Sequence, residues 1–261
     1  MSAPGHRCGC SHRKVGRRRA LTLLAAGAAA PLLPAAPALA LPRTAGCSLA
    51  QGQLAEFNSY GYGDPWGVIE SSGDPALDRA LGKALVRLSG LFGQRPGFGF
   101  FDDYGMPNAY ATYETTVPGT WGTVLYGMTL FRQLVQGYAD EGMAVMMIAA
   151  HEFGHIAQYA GGADQQLQAG HYTVKPVELH ADWLAGWYLG MRKRDRPDLS
   201  LTEAGRFLYS IGDYMTFDYN HHGTPDERVA AAEGGFKHAE AGGTDFGTAF
   251  REGMDRIRSW T

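Results

Sequence analysis

The chain is poor in cysteine and in charge, and it offers no clean apolar run long enough to span a bilayer. Three cysteines occur in 261 residues, and charged residues make up 19%. Cys8 and Cys10 lie in a basic leader that has no acidic residue through position 40. With that leader removed, Cys47 is the only thiol, which excludes an intramolecular disulfide. The C-x-C spacing of Cys8 and Cys10 beside His12 is too slight to make a metal clip in so basic a segment. The apolar stretch from Ala20 to Ala40 is broken by prolines at 31, 34 and 37, so it makes a poor membrane helix. No repeat and no long low-complexity tract follows.

What the first 40 residues do offer is an export signal. Arg13, Lys14, Arg17, Arg18 and Arg19 form a basic region, Ala20 to Ala30 an apolar core, and Ala38-Leu39-Ala40 a small-x-small cleavage site. Adjacent arginines before Ala20 and Leu21 resemble a twin-arginine signal, so the expected location is periplasmic or secreted. Sec export is the alternative route. Lipid anchoring at Cys47 is a further alternative, against which Pro42, Arg43 and Thr44 separate the cysteine from the apolar core. Cleavage after Ala40 removes six of the 23 Lys and Arg and leaves 17 against 26 acids, a net charge of about −9. That balance argues against nucleic acid and anionic membrane surfaces as partners, and no stable membrane insertion is expected after signal removal.

The remaining 221 residues, 261 less 40, suffice for one domain with its own core. Residues 41–73 are glycine-dotted and weakly periodic, a surface tether or short pro-segment, and the domain proper is expected over 74–261. Asp74-Pro75 opens a helix through about Phe92, with Ala76, Leu77, Ala80, Leu81, Ala84, Leu85 and Leu88 on one apolar face. Short aromatic segments at 98–104, 108–114 and 122–126 predict strands broken by Gly and Pro. Ser200 with Glu203 suggests a capping box before a helix from Leu201 to Met215, and Phe246 to Trp260 predicts a last helix. The pattern is that of a helix-rich α+β fold with a small mixed sheet.

Positions 151–155 spell His-Glu-Phe-Gly-His, the H-E-x-x-H zinc signature. They fall in the apolar stretch Met143 to Tyr159, which predicts a buried helix stopped by Gly161 and Gly162. Four residues advance a helical side chain by about one turn, so His151 and His155 share a face and can hold one ion through two imidazole nitrogens. Glu152 lies beside them, where its carboxylate reaches a metal-bound water without becoming a ligand. Two histidines on a helix are often ordinary core residues, but the run Ala144 to Ala150 carries no charge. Burying two imidazoles and a carboxylate there without partners would cost several kcal/mol, and a metal removes that penalty.

A hydrolytic zinc site takes three protein ligands and leaves the fourth position to water. The extended form H-E-x-x-H-x-x-G-x-x-H is excluded, because Gln158 and Gly161 stand where its glycine and third histidine belong. Downstream, Val177 to Tyr188 predicts a helix with Glu178 and Asp182 four apart on one face, and with Ala185 and Gly186 small enough for close helix approach. The pair suits Glu178 as third ligand and Asp182 as the group that orients one ligand histidine through its free ring N–H. Taken alone, both would pass for solvated acids near a helix N-terminus. His171 and Asp164, in the polar segment between the helices, are rival ligands; His180, two residues from Glu178, points elsewhere.

A third constellation is His221-His222-Gly223-Thr224-Pro225-Asp226-Glu227-Arg228. Thr224 as N-cap, Pro225 at the first helical position and Glu227 completing a capping box predict a loop that delivers into a helix. His222 then sits on the lip before that helix, placed to reach into a cleft and stabilise an oxyanion. By itself the pair would be surface histidines beside a capped helix.

Together, H-E-F-G-H, E-L-H-A-D-W-L-A-G and H-G-T-P-D-E-R-V, in this order, resemble the core of the gluzincin metallopeptidases, particularly the neutral zinc metallopeptidase and peptidase M48 groups. His222 and Arg228 keep the six-residue histidine–arginine spacing of the M48 group, and Asn108-Ala109-Tyr110-Ala111 with Gly122 to Leu125 resembles its segment and strand ahead of the zinc helix. The similarity covers roughly residues 105 to 240. It implies a zincin-like domain whose small sheet lies over the H-E-x-x-H helix, one Zn2+ held by His151, His155 and Glu178, Glu152 as general base, Asp182 steadying a ligand and His222 stabilising the oxyanion. The edge strand, assigned to Asn108 to Glu114, would line the cleft and pair with an extended peptide or protein substrate. The expectation is an exported zinc endopeptidase; no G-x-M-E-N-type segment for gripping a free amino terminus is present. The alternatives are a zinc-stabilised, non-catalytic envelope binding or chaperone-like protein, and a zinc hydrolase of a non-peptide amide.

Overall fold

The computed structural model describes residues 67–104, 107–137, 141–199 and 201–260. The expected export leader, Cys47, the expected tether up to residue 66 and Ser200 lie outside the described residues. Among those described, no helix is long and apolar enough to cross a membrane.

The first helix, α1 (Pro75–Phe92), starts where the sequence predicts. The Asp74 carboxylate accepts the backbone N–H groups of Ala76 and Leu77 at 2.9 and 3.2 Å. Gly93 ends the helix in the left-handed region at φ 62, a conformation that glycine adopts without steric penalty. Ala80, Leu81, Ala84, Leu88 and Phe92 are buried, whereas Ala76, at the start of the expected stripe, is exposed.

Three strands form the sheet: β1 (Gly97–Phe101), β2 (Ala109–Thr112) and β3 (Thr123–Gly127), in the order β1-β3-β2. β1 runs parallel to β3, with Gly97 opposite Thr123, and β2 runs antiparallel, with Ala109 opposite Tyr126. The central strand is buried throughout. Its Tyr126 hydroxyl donates to the Val145 carbonyl at 2.6 Å, fastening the sheet to the helix that carries the zinc signature. The second strand stops short of the expected Glu114 because the Thr112 hydroxyl accepts the Glu114 N–H at 3.2 Å and turns the chain.

Next comes a helix the sequence pattern did not announce, α2 (Met128–Gly137). Its cap is remote in sequence: the Asp103 carboxylate accepts the N–H groups of Thr129 and Leu130 at 3.1 Å. Gly127 is required just before it, since a Cβ there would overlap that carboxylate and the Asn108 carbonyl.

Helix α3 (Glu141–Gly161) carries H-E-x-x-H and is buried from Met143 to Tyr159, as its uncharged face demands. Gly162, left-handed at φ 64, stops it. The polar segment that follows forms a short helix, α4 (Ala163–Gln168), and Asp164 sits in its first turn. Then α5 (Lys175–Asp195) runs with every residue from Pro176 to Gly190 buried.

Helix α6 (Thr202–Ile211) ends four residues before Met215 because Gly212 turns into extended backbone tight against Pro225. Helix α7 (Pro225–Glu240) has the predicted capping box: Thr224 N–H donates to Glu227 Oε2 at 2.8 Å and Glu227 N–H to Thr224 Oγ1 at 3.3 Å. Against α5 it packs glycine to backbone. A Cβ on Gly186 would collide with the Ala232 carbonyl, and one on Gly235 with the Trp183 carbonyl. The last helix, α8 (Phe246–Arg258), is capped by Asp245, which accepts the Thr248 N–H at 2.7 Å. The Trp183 indole on α5 donates to the Ala249 carbonyl of α8 at 3.1 Å.

The result is a helix-rich α+β arrangement with a small mixed sheet. Phe92, Phe153, Trp187 and Phe246 interlock at its centre, Phe92 lying edge-on to Phe153 and Trp187 at 6.1 and 5.8 Å.

Candidate metal centre

One turn of α3 places His151 and His155 side by side, and α5 crosses so that Glu178 faces both. The two Nε2 atoms are 3.0 Å apart. The Glu178 carboxylate spans them, Oε2 at 3.3 Å from His151 Nε2 and Oε1 at 3.4 Å from His155 Nε2. All three residues are buried, and their ligand atoms lie close enough together to hold one metal ion. Donors at about 2.0 to 2.1 Å on a tetrahedral ion stand about 3.3 Å from each other; the two Glu178 separations match that edge and the Nε2 pair is somewhat closer.

The outer ring nitrogens explain why two Nε2 atoms face each other. His151 Nδ1 donates to Asp182 Oδ1 at 2.9 Å. His155 Nδ1 donates to Gln158 Oε1 at 2.8 Å. The amide orientation of Gln158 is fixed from its other end, where Nε2 donates to the Val177 carbonyl at 2.8 Å. With both Nδ1 atoms carrying hydrogen, each ring turns its Nε2 inward. Two ring nitrogens 3.0 Å apart with a carboxylate on their flank call for a positive charge among them, a proton on His151 in the metal-free chain or a metal ion in its place. The donor set therefore fits a divalent ion.

Arg228 reaches this centre from the first turn of α7 and grips Asp182 with a fork, Nε to Oδ2 at 2.8 Å and Nη2 to Oδ1 at 2.9 Å. Asp182 is fully buried and Arg228 nearly so. Burial would raise the Asp182 pKa, but the charges of Arg228 and His151 outweigh it and keep the carboxylate ionised. For His151, burial works against a proton, yet Asp182 and Glu178 outweigh it and push the ring up to about 10. Glu178 is held well below the carboxylate range despite burial, by His222, His155 and the hydrogen bonds of the two ligand rings. Glu152 goes the other way, raised chiefly by burial.

A cleft opens onto the three ligand residues. It is lined by β2 with Pro107 and Asn108 and by Phe207, Leu208 and Ile211 of α6. Glu152, His222 and Arg228 line it as well. His222 Nε2 is buried and has no hydrogen-bond partner. Its backbone N–H donates to Asp213 Oδ2 at 3.2 Å, and the same carboxylate takes His221 Nδ1 at 2.6 Å. Asp213 thus holds the loop that carries both histidines.

The rival ligands are elsewhere. Asp164 is buried on α4 with one carboxylate oxygen unpartnered, and His171 follows that helix, its N–H donating to the Gln168 carbonyl at 3.0 Å. Neither belongs to the metal-competent group among the described residues. His180 likewise points away, but it is not idle: its Nδ1 accepts from Gln158 Nε2 at 3.0 Å. The sequence presents Gln158 only as a departure from a longer motif and Arg228 only by its spacing from His222, with no task for either. Arg228 had a signal, its position one turn into a helix whose cap delivers His222; Gln158 had none, because nothing in sequence pairs an amide with a particular ring. Comparison with protein-family models, with curated proteins and with solved structures finds no match.

Proposed function

We propose that the protein is a zinc-dependent peptidase with a zincin-like domain, acting outside the cytoplasm on peptide or protein substrates. The observation that carries this reading is the convergence of two imidazole nitrogens and one carboxylate at tetrahedral spacing, with a further, differently tuned carboxylate, Glu152, on the same cleft.

A divalent ion bound by His151, His155 and Glu178 would supply Lewis acidity, polarising a carbonyl and bringing the pKa of a bound water toward about 7. Glu152 is the group suited to take the proton. Burial raises its affinity for that proton, so it can hold it after the attack and pass it to the leaving nitrogen. His222 projects a buried, unpartnered Nε2 in the wall of the cleft, from which a ring N–H can donate to the developing oxyanion. Asp213 steadies that histidine through its backbone. An extended peptide lies along β2, the end strand of the sheet, with its side chains toward Phe207, Leu208 and Ile211. A purely binding or chaperone-like role gives Glu152 no task, and the same donor set would equally serve a non-peptide amide.

The test is a digest of a diverse peptide library by the zinc-loaded protein beside Glu152→Gln. Internal cleavage by the wild type and a loss of about 10²- to 10⁴-fold in the variant, with zinc retained, is the expected outcome. Cleavage undiminished in Glu152→Gln rejects the base assignment, and cleavage of amides but of no peptide redirects the activity.

A further inference from the structure

The two ligand histidines are backed differently. His151 rests on a carboxylate that is itself held by Arg228. His155 rests on a neutral amide, and that amide begins a chain. Gln158 Oε1 accepts from His155 Nδ1 at 2.8 Å, Gln158 Nε2 donates to the Val177 carbonyl at 2.8 Å and to His180 Nδ1 at 3.0 Å, and His180 Nε2 donates to the Phe250 carbonyl at 3.0 Å. Each link fixes the next. The Phe250 carbonyl can only accept, so His180 carries its hydrogen on Nε2 and leaves Nδ1 as an acceptor. That acceptor and the Val177 carbonyl take both amide hydrogens of Gln158, so Oε1 must face His155. Facing an acceptor, His155 keeps its hydrogen on Nδ1 and turns the Nε2 lone pair to the metal position. Gln158 and His180 are fully buried, so water does not compete for these bonds.

We propose that Gln158 and His180 are positioning residues that set the tautomer and aim of His155, and that through them the docking of α8 on α5 contributes to metal affinity. The inference rests on the metal-site reading and deepens it: the C-terminal helix, well removed in sequence from the signature, becomes part of the metal centre's support. A centre backed by one carboxylate and one neutral amide keeps less negative charge around the ion than one backed by two carboxylates, which leaves the ion the stronger Lewis acid.

Zinc affinity is to be measured by chelator competition on the full chain for wild type, Gln158→Met, His180→Phe and Trp183→Phe. The methionine matches the shape of glutamine without its hydrogen bonds. Trp183→Phe removes the parallel α5–α8 hydrogen bond to Ala249 and leaves the amide chain intact. Gln158→Met is expected to weaken zinc binding about 10- to 100-fold, His180→Phe by a smaller factor, and Trp183→Phe not measurably. In the zinc-free protein, nitrogen-15 spectra of the ring are expected to show His155 protonated at Nδ1 in wild type and shifted toward Nε2 in Gln158→Met. Unchanged affinity in both Gln158→Met and His180→Phe overturns the proposal, as does an equal loss in Trp183→Phe, which would mean general loosening of the helix pair. Should Gln158→Met not fold, His180→Phe alone decides by the same criterion. A wild type that binds no zinc refutes the metal-site reading itself and is thereby told apart from a failure of the amide chain.

Discussion

Asp182 answers to two donors, His151 and Arg228, and, being fully buried, has no water to fall back on. Removing the arginine strands a buried carboxylate, and breaking a buried ion pair in that way costs about 3–5 kcal/mol. Arg228→Met is therefore expected to lose about that much in urea unfolding. Asp182→Leu combined with Arg228→Met should recover most of the stability, since no charge is left unpaired, yet bind zinc weakly because His151 has lost its orienting group. Recovery of both stability and affinity in the double variant would show that the pair only holds helices together. A second consequence concerns protons. His151, pushed up to about 10 by Asp182 and Glu178, holds a proton at neutral pH in the metal-free chain, and a metal must displace it. Zinc affinity should rise from pH 6 to pH 8, with about one proton released per ion, measurable by calorimetry in buffers of different ionisation enthalpy.

At the scale of elements, α5 supports almost everything. It carries Glu178 and Asp182 toward α3, packs its glycines on α7 and ties α8 through His180 and Trp183. Gly186→Ala forces a methyl into the Ala232 carbonyl, and a loss of about 1–3 kcal/mol in denaturant unfolding is expected. His180 adds a pH signature. Burial lowers it from 6.5 to about 4, so the unfolded chain takes up a proton near 6.5 while the folded chain resists until about 4. Stability from this group is present above 6.5 and is lost as pH falls from 6.5 to 4. In chelator, the fall in unfolding midpoint over that range should be shallower in His180→Phe; an identical slope would contradict it. The elements themselves were largely legible, because their signals are local. Asp74-Pro75, the uncharged run before His151 and the Thr224–Glu227 box each act within a turn of the helix they begin or bury. Helix α2 was not legible, since its cap, Asp103, comes from a distant position in the sequence, and the early end of α6 depends on Pro225 of another helix.

For the whole molecule, a metal ion held by His151, His155 and Glu178 would tie α3 to α5 at the cleft. An ion that binds only the folded chain stabilises it by about 2.7 kcal/mol at a hundredfold excess over its Kd, so the melting temperature should rise on adding zinc and drop on chelation. The sequence showed His151, Glu152 and His155 through spacing alone. Glu178 and Asp182 needed the idea of a site with a vacancy, and Gln158 and His180 became visible only once the helices crossed, because hydrogen-bond partners between elements leave no periodic trace. The most direct measurement is the metal content of the purified protein and of Glu178→Ala after dialysis against a weak chelator. One zinc per wild-type chain and little or none in the variant is predicted; a wild type without metal, or a variant that keeps a full equivalent, contradicts the account.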